Sequence, residues 1–189
     1  MNWHEYFTYD PLTGVITWKE RPRSHFSTNR AFHNFNNRLA GKEAGHREFR
    51  HGGKRRRIRI EVNGRSLSAH VLAWHLMGVR IPDGKVPDHI DRDPFNNAWS
   101  NLRAATVKEN SRNQCVRTTN KSGFTGVYYS KNGQTWMANI RVDGTLIHLG
   151  TFPCKGAAAA ARAKASMMYF KEFSPTTPKH VTTQKETAS

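Results

Sequence analysis

The stretch Val86–Gln114, VPDHIDRDPFNNAWSNLRAATVKENSRNQ, decides the fold. Val86 to His89 reads as a first strand, Asp91 to Asn97 as a polar loop, and Trp99 to Ala104 as a strand returning toward the start. Thr106-Val107-Lys108-Glu109 then has the form of a capping box, with Thr106 accepting from the backbone and Glu109 reaching back, so a helix opens there. Asn110 falls early in that helix. A hairpin followed by a helix is therefore the expectation, with Asp88, His89, Asn101 and Asn110 distributed along it.

Those residue types at those places suit the hydrolysis of a phosphodiester. Asp88 and Asn110 offer oxygen ligands to a hard divalent cation, and His89 beside them can take a proton from water at neutral pH. Asn101 could hold the imidazole in place. The attacked phosphate is anionic, so a cation must neutralise charge building on its oxygens and on the departing O3′; Mg²⁺ or Mn²⁺ would do this, one ion per site. A plainer reading stands beside this one. Asp and Asn are frequent in turns, where their side chains cap backbone amides, and DRDPFNN is such a loop, so Asp91, Asn96 and Asn97 are assigned to loop structure.

The DHID, NN, NLR and N-S-R-N words, standing in register, resemble the HNH nuclease family, specifically the phage homing-endonuclease branch in which the last motif His is replaced by Asn. The resemblance implies a ββα-metal core in which Asp88 and Asn110 hold the metal, His89 is the general base and Asn101 fixes the tautomer and angle of its ring. One departure is Arg92, where relatives carry Gly in D-H-I-D-G-D; a side chain there strains a tight turn or adds a DNA contact. Zinc is not expected, because the zinc-bearing version of this core needs two C-x-x-C pairs.

Composition bounds the rest. The 189 residues carry 30 Lys+Arg against 14 Asp+Glu, a net charge of +16, with a pI near 10.5 and a mean hydropathy of −0.74. Such a balance points to a polyanion partner, and double-stranded DNA is the first candidate, although a structural basic protein of RNA or nucleoid has the same charge. Two small cores are expected rather than one large one. Cys115 and Cys154 are far apart, which suggests neither a disulfide framework nor a cysteine metal site and fits a reducing cytosol. With no apolar run approaching a signal or a membrane span, the expected location is the cytoplasm, of the host cell if phage-encoded.

Residues 1–65 read as a β-rich region. Tyr9-Asp10-Pro11-Leu12-Thr13-Gly14 is a turn before the strand Val15-Ile16-Thr17-Trp18, and EYFTYDPLTGVITWKERP resembles the N-terminal portion of many phage HNH proteins. Arg23 to Phe49 is polar and is read as loop with at most a short helix. The run KRRRIRI, Lys54–Ile60, is a strand entering the Asn63-Gly64 turn; it is either a solvated strand edge or a phosphate-contacting strand through Arg55, Arg56, Arg57 and Arg59. Leu67 to Met77 reads as an amphipathic helix ended by Gly78, carrying His70 and His75, which are assigned to structure. The nuclease core with this helix is placed at 66–116.

At about Arg117 the character changes. Gly126–Tyr129, Trp136–Val142 and Thr145–Leu149 read as strands joined at Asn132-Gly133 and Asp143-Gly144, followed by an alanine-rich helix from Lys155 to Phe170. The words G-V-x-Y, W-x-A-x-I, L-G-T-F and A-A-x-A closely resemble the AP2 DNA-binding domain, a three-stranded antiparallel sheet packed on one helix, placed here at 117–173. By that resemblance Tyr128, Lys131, Trp136, Asn139, Arg141 and His148 are candidates for DNA contact, with strand alternation putting Ala138 and Ile140 on the opposite side and Trp136 with the core. Residues 174–189 read as a disordered tail.

The expected class is α+β, and the expected function is a metal-dependent DNA endonuclease of homing type. A single such core cuts one strand per encounter, so a monomer that nicks DNA is the simplest form, with neither a membrane nor a small-molecule substrate involved. A DNA-binding regulator with a non-functional nuclease core is the alternative.

Overall fold

Period-two burial is the first sign of order in the computed structural model, which describes residues 1–49, 56–112, 120–130 and 132–174. Strand β1 (Phe7–Tyr9) pairs antiparallel with β2 (Ile16–Trp18), matching Phe7 with Trp18. Phe7, Ile16 and Trp18 point inward and are buried while Thr8 is exposed, which is the alternation a half-buried hairpin requires. The chain divides into two compact units, Met1–Lys108 and Glu109–Ser189.

In the first unit a helix, α1 (Asn29–Leu39), follows, capped by the Thr28 hydroxyl accepting from the Ala31 amide at 3.1 Å. This is longer than the short helix expected inside Arg23–Phe49. The signal was present: Phe32, Phe35 and Leu39 recur at helical spacing, although the four asparagines at 29, 34, 36 and 37 lower the intrinsic propensity. Phe35 meets Trp18 edge-on at 5.4 Å. Strands β3 (His46–Phe49), β4 (Arg56–Val62) and β5 (Arg65–Ser68) form a three-stranded antiparallel sheet in that order.

The Asn63-Gly64 turn has positive φ at both residues, 49° and 72°, the geometry that closes a tight hairpin. Val62 therefore faces Arg65, and pairing continues to Arg59 opposite Ser68. Leu67 consequently belongs to β5, and the helix expected from Leu67 begins instead at Ala69: α2 is Ala69–Leu76. It buries Ala69, Leu72 and Leu76 with Phe7, Ile16, Trp18, Ile60 and Val62 in the main core, and Ala73 and Trp74 with Leu102 in a second cluster. Strands β6 (Lys85–His89) and β7 (Leu102–Thr106) form a separate antiparallel pair with Asp88 opposite Arg103 and His89 opposite Leu102. Helix α3 (Val107–Arg112) follows β7 directly, and the boundary between the two units falls inside it.

In the second unit β8 (Val127–Ser130), β9 (Thr135–Val142) and β10 (Thr145–Phe152) form an antiparallel sheet with β9 central. Helix α4 (Lys155–Phe170) packs on it. Its alanines explain how closely it lies: Ala158, Ala138 and Val127 share one buried cluster in which the alanines are fully covered. At Gly126, φ is +73° and an added Cβ would lie 2.2 Å from the Asn139 carbonyl oxygen, so only glycine fits. Among the described residues no helix is long and apolar enough to cross a membrane.

Candidate active site

His89 ends β6, and its ring is held from two sides by groups the fold brings to it. The Asn97 carboxamide lies 3.1 Å from Nε2 through Oδ1, while Asn97 Nδ2 donates to the Phe95 carbonyl at 3.3 Å. The second bond orients the first. With the amide nitrogen turned to a carbonyl, the oxygen faces the ring and accepts from Nε2–H, so the lone pair resides on Nδ1. Asn97 is 1% exposed; a carboxamide so buried must be hydrogen-bonded or cost about 1–3 kcal/mol.

The other face meets His70, in the first turn of α2, whose ring stands edge-to-face on that of His89 with centroids 5.0 Å apart. Burial, aided by the neighbouring His89 and Arg57, pushes the His70 imidazole down to about 3. It is neutral at ordinary pH and packs as an uncharged ring. Asp88, one residue before His89, is buried and bridged by Arg103 from the facing strand, with Nε and Nη2 each 3.1 Å from Oδ2. The hairpin register opposes these two residues, so their side chains share one face.

Asn101 does a different task from the direct contact with the imidazole that the family resemblance implies. Its Oδ1 accepts from the Asp91 amide at 3.0 Å, and its Nδ2 donates to Asp91 Oδ1 at 3.0 Å and to the Asn96 carbonyl at 2.8 Å. Its own carbonyl accepts from the Ile90 amide at 2.9 Å. Asn101 thus ties the two ends of the loop together, and the ring contact falls to Asn97, four residues earlier, because the loop folds back over β6. Asp91 and Asn96 cap loop groups as their composition suggests: Asp91 accepts from the Asp93 amide at 2.7 Å and from Asn96 Nδ2 at 2.8 Å. Arg92 holds φ of +65°, the left-handed conformation that glycine adopts at no steric cost.

Two residues of this site escaped the sequence reading, Asn97 and Arg103. Arg103 could have been found by counting back from the hairpin, since pairing His89 with Leu102 puts Asp88 opposite it. Asn97 has a weaker signal: it is one of two adjacent asparagines, and only the fold tells which is buried.

Asn110 lies in α3 and is half-buried. Among the basic candidates of the first unit, Arg57 and Arg59 share a face of β4 and both bond Glu48, at 2.5 and 3.3 Å, and Arg59 also meets Glu61 at 2.9 Å. These bonds from Arg57 first, and then Arg59, hold the Glu48 carboxyl below its usual range against a smaller opposing effect of burial. Arg55 and the Arg56 side chain lie outside the described residues, as does Lys131.

On the second unit, Tyr128, Asn139 and His148 form a row across the three strands on the face away from Ala138 and Ile140. Asn139 Nδ2 donates to the Tyr128 hydroxyl at 2.9 Å, and Asn139 Oδ1 lies 2.8 Å from His148 Nδ1. Arg141 is exposed and donates to the Gly144 carbonyl at 2.8 Å across its own turn. Trp136 is half-buried and packs with the core cluster of Val127, Ala138 and Ala158.

Residues 68–112 match the family model described as HNH endonuclease, which supports a nuclease acting on DNA. The chain is also similar to Protein 3.8 of Escherichia phage T7, with 39% identity over 75 residues, 40% of this chain. The chain spans 62% of that relative's length. No solved structure matches.

Proposed function

We propose that the chain is a metal-dependent DNA endonuclease of the phage homing type that nicks duplex DNA as a monomer. The observation that carries this reading is the buried His89–Asn97 bond. It puts the proton on Nε2 and leaves Nδ1 as the basic atom, on a ring packed against neutral His70. His89 then takes the proton of the attacking water, a role worth about 10²–10⁴-fold in such reactions. Asn101 acts through the loop rather than on the ring.

Asp88 and Asn110 are the proposed metal ligands. Their donor set fits a hard cation: all oxygen, one negative and one neutral, with the remaining positions left to waters and phosphate. Bound Mg²⁺ or Mn²⁺ would supply charge neutralisation at the phosphate oxygens. Arg103 already holds the Asp88 carboxylate in place and adds a second positive charge on the same strand pair.

The second unit is proposed as an AP2-like module that selects sites. The row of Tyr128, Asn139 and His148, flanked by Arg141, presents donors and acceptors on a solvent-facing sheet, the arrangement needed to reach base edges. Arg57 and Arg59, which donate to Glu48, are proposed to direct their remaining N–H donors to phosphates.

The deciding experiment incubates the purified chain with supercoiled plasmid. Nicking should appear with Mg²⁺ or Mn²⁺, vanish in EDTA and return when the ion is restored. Full activity in excess chelator would remove the metal from the proposal, and no nicking of any DNA under these conditions would favour a DNA-binding protein with an inactive core.

A further inference from the structure

The N-terminal turn Tyr9–Gly14 lies far in sequence from the site just described, yet it grips the backbone that carries Asn97. The Tyr9 hydroxyl donates to the Asn97 carbonyl at 2.8 Å, across 88 residues of sequence. The Trp99 amide donates to the Pro11 carbonyl at 2.9 Å. Between these two bonds Gly14, at φ +78°, comes so close that a Cβ there would lie 2.3 Å from the Asn97 carbonyl carbon and from the Ala98 nitrogen. Three consecutive residues, 97 to 99, are thus held by one turn.

The turn is itself stiff. Asp10 accepts from the Gly14 amide through its carbonyl at 2.8 Å. Its carboxylate accepts from the Leu12 amide at 2.9 Å and from the Thr13 hydroxyl at 2.6 Å. Tyr9 is partly buried, and burial first, then the Asp10 charge, pushes its phenol up to about 12, so the hydroxyl keeps its proton for the carbonyl of Asn97. On its other side β1 is pinned to the main core through Phe7. The loop from Ile90 to Asn101 is held internally by Asp91, Asn96 and Asn101, but those bonds fix the ends of the loop rather than the Asn97 carboxamide.

We infer that the Tyr9–Gly14 turn is a positioning element for catalysis, which sets the His89 ring by locking the backbone of Asn97 to Trp99. The inference rests on the reading of His89 as general base. A shift of about 1 Å in a group that aims a reacting atom can cost on the order of a hundredfold in rate, so the turn has catalytic weight without touching DNA.

The test uses the full chain with Tyr9→Phe, which deletes one hydroxyl, and Gly14→Ala, which wedges the backbone apart. Two readouts are taken. The ¹⁵N signature of the His89 ring, recorded without DNA, should show the Nε2–H tautomer in the parent and a mixture of tautomers in both variants. Nicking at saturating DNA should fall about tenfold for Tyr9→Phe and more for Gly14→Ala, with KM unchanged. Should Gly14→Ala fail to fold, Tyr9→Phe decides alone. Variants that lose thermal stability yet keep the parent tautomer and turnover would overturn the inference and leave the turn a purely structural contact. Because the ring signature needs no cleavage, an altered tautomer in a chain whose His89→Ala variant still nicks would instead sink the general-base reading and spare the brace.

Discussion

Each unit carries a histidine bonded to an asparagine oxygen, and the two pairs sit in opposite surroundings. His89 and Asn97 are 9% and 1% exposed and 3.1 Å apart; His148 and Asn139 lie on a solvent-facing sheet, 2.8 Å apart. The shorter bond is not the more consequential one. In water a hydrogen bond between exposed groups competes with solvent and nets little, whereas a buried one cannot be exchanged without loss. The buried pair is also fixed by neighbours, Phe95 on the amide and His70 on the ring, so it defines a tautomer. The exposed pair can release its partner, which suits the DNA-reading role proposed for this sheet.

The first way to break this comparison is to delete both rings. His89→Ala should cut nicking by about 10²–10⁴-fold with DNA affinity nearly unchanged. His148→Ala should leave turnover at saturating DNA intact and weaken or relax site choice, by roughly tenfold at one contact. Cleavage rates and binding curves on the same DNA fragments measure both. If His148→Ala lowers turnover as steeply as His89→Ala, the division of labour between the two pairs is wrong.

How much of this was legible beforehand differs between the same two regions. The strands and helix of the second unit follow closely from alternation and turn dipeptides: the helix expected at Lys155–Phe170 has those bounds, and Asp143-Gly144 turns with φ of 50° and 88°. Local signals suffice there because neighbouring strands are joined by short turns. The hairpin bearing Asp88 and His89 was legible as a hairpin, but its second strand, expected at Trp99–Ala104, is Leu102–Thr106, because Trp99–Asn101 form a 3-10 turn before it. The choice between Asn97 and Asn101 as the ring's partner was not legible, because it depends on how the loop from Ile90 to Asn101 folds back, and on Tyr9 and Gly14 from a distant part of the chain. The apolar spacing of Leu67 fits a helix, but strand pairing from the Asn63-Gly64 turn outweighs that periodicity.

A second contrast between the units is their response to acid. The His70 imidazole is pushed from 6.5 down to about 3 in the folded first unit, so between those values the unfolded chain binds a proton that the folded one refuses. Stability from this group is complete above about pH 6.5 and is lost as pH falls, at up to about 1.4 kcal/mol per pH unit. Urea midpoints read through tryptophan fluorescence should therefore drop below pH 6.5. Trp3, Trp18, Trp74 and Trp99 report the first unit and only Trp136 the second. His70→Leu should flatten the dependence. An equally steep decline in that variant would assign the acid sensitivity to other groups.

The smallest expected effect comes from two residues that share an unusual backbone. Arg92 in the loop after His89 and Asp143 in the β9–β10 turn both hold positive φ, +65° and +50°. Asp visits this region readily because its short side chain can bond nearby backbone, whereas at Arg92 the backbone itself carries a Cβ clash that costs roughly 1–2 kcal/mol. Part of any relief at glycine is offset by the greater entropy of the unfolded chain, about 0.5–1 kcal/mol. Arg92→Gly should thus stabilise the first unit by up to about 1 kcal/mol, and Asp143→Gly should change the second by less or lower its stability, since Asp143 also bonds Arg112 at 3.1 Å. Urea midpoints at pH 7.5 resolve the two. A loss of stability in Arg92→Gly would mean that the Arg92 side chain holds the loop through its own contacts more strongly than its backbone strains it.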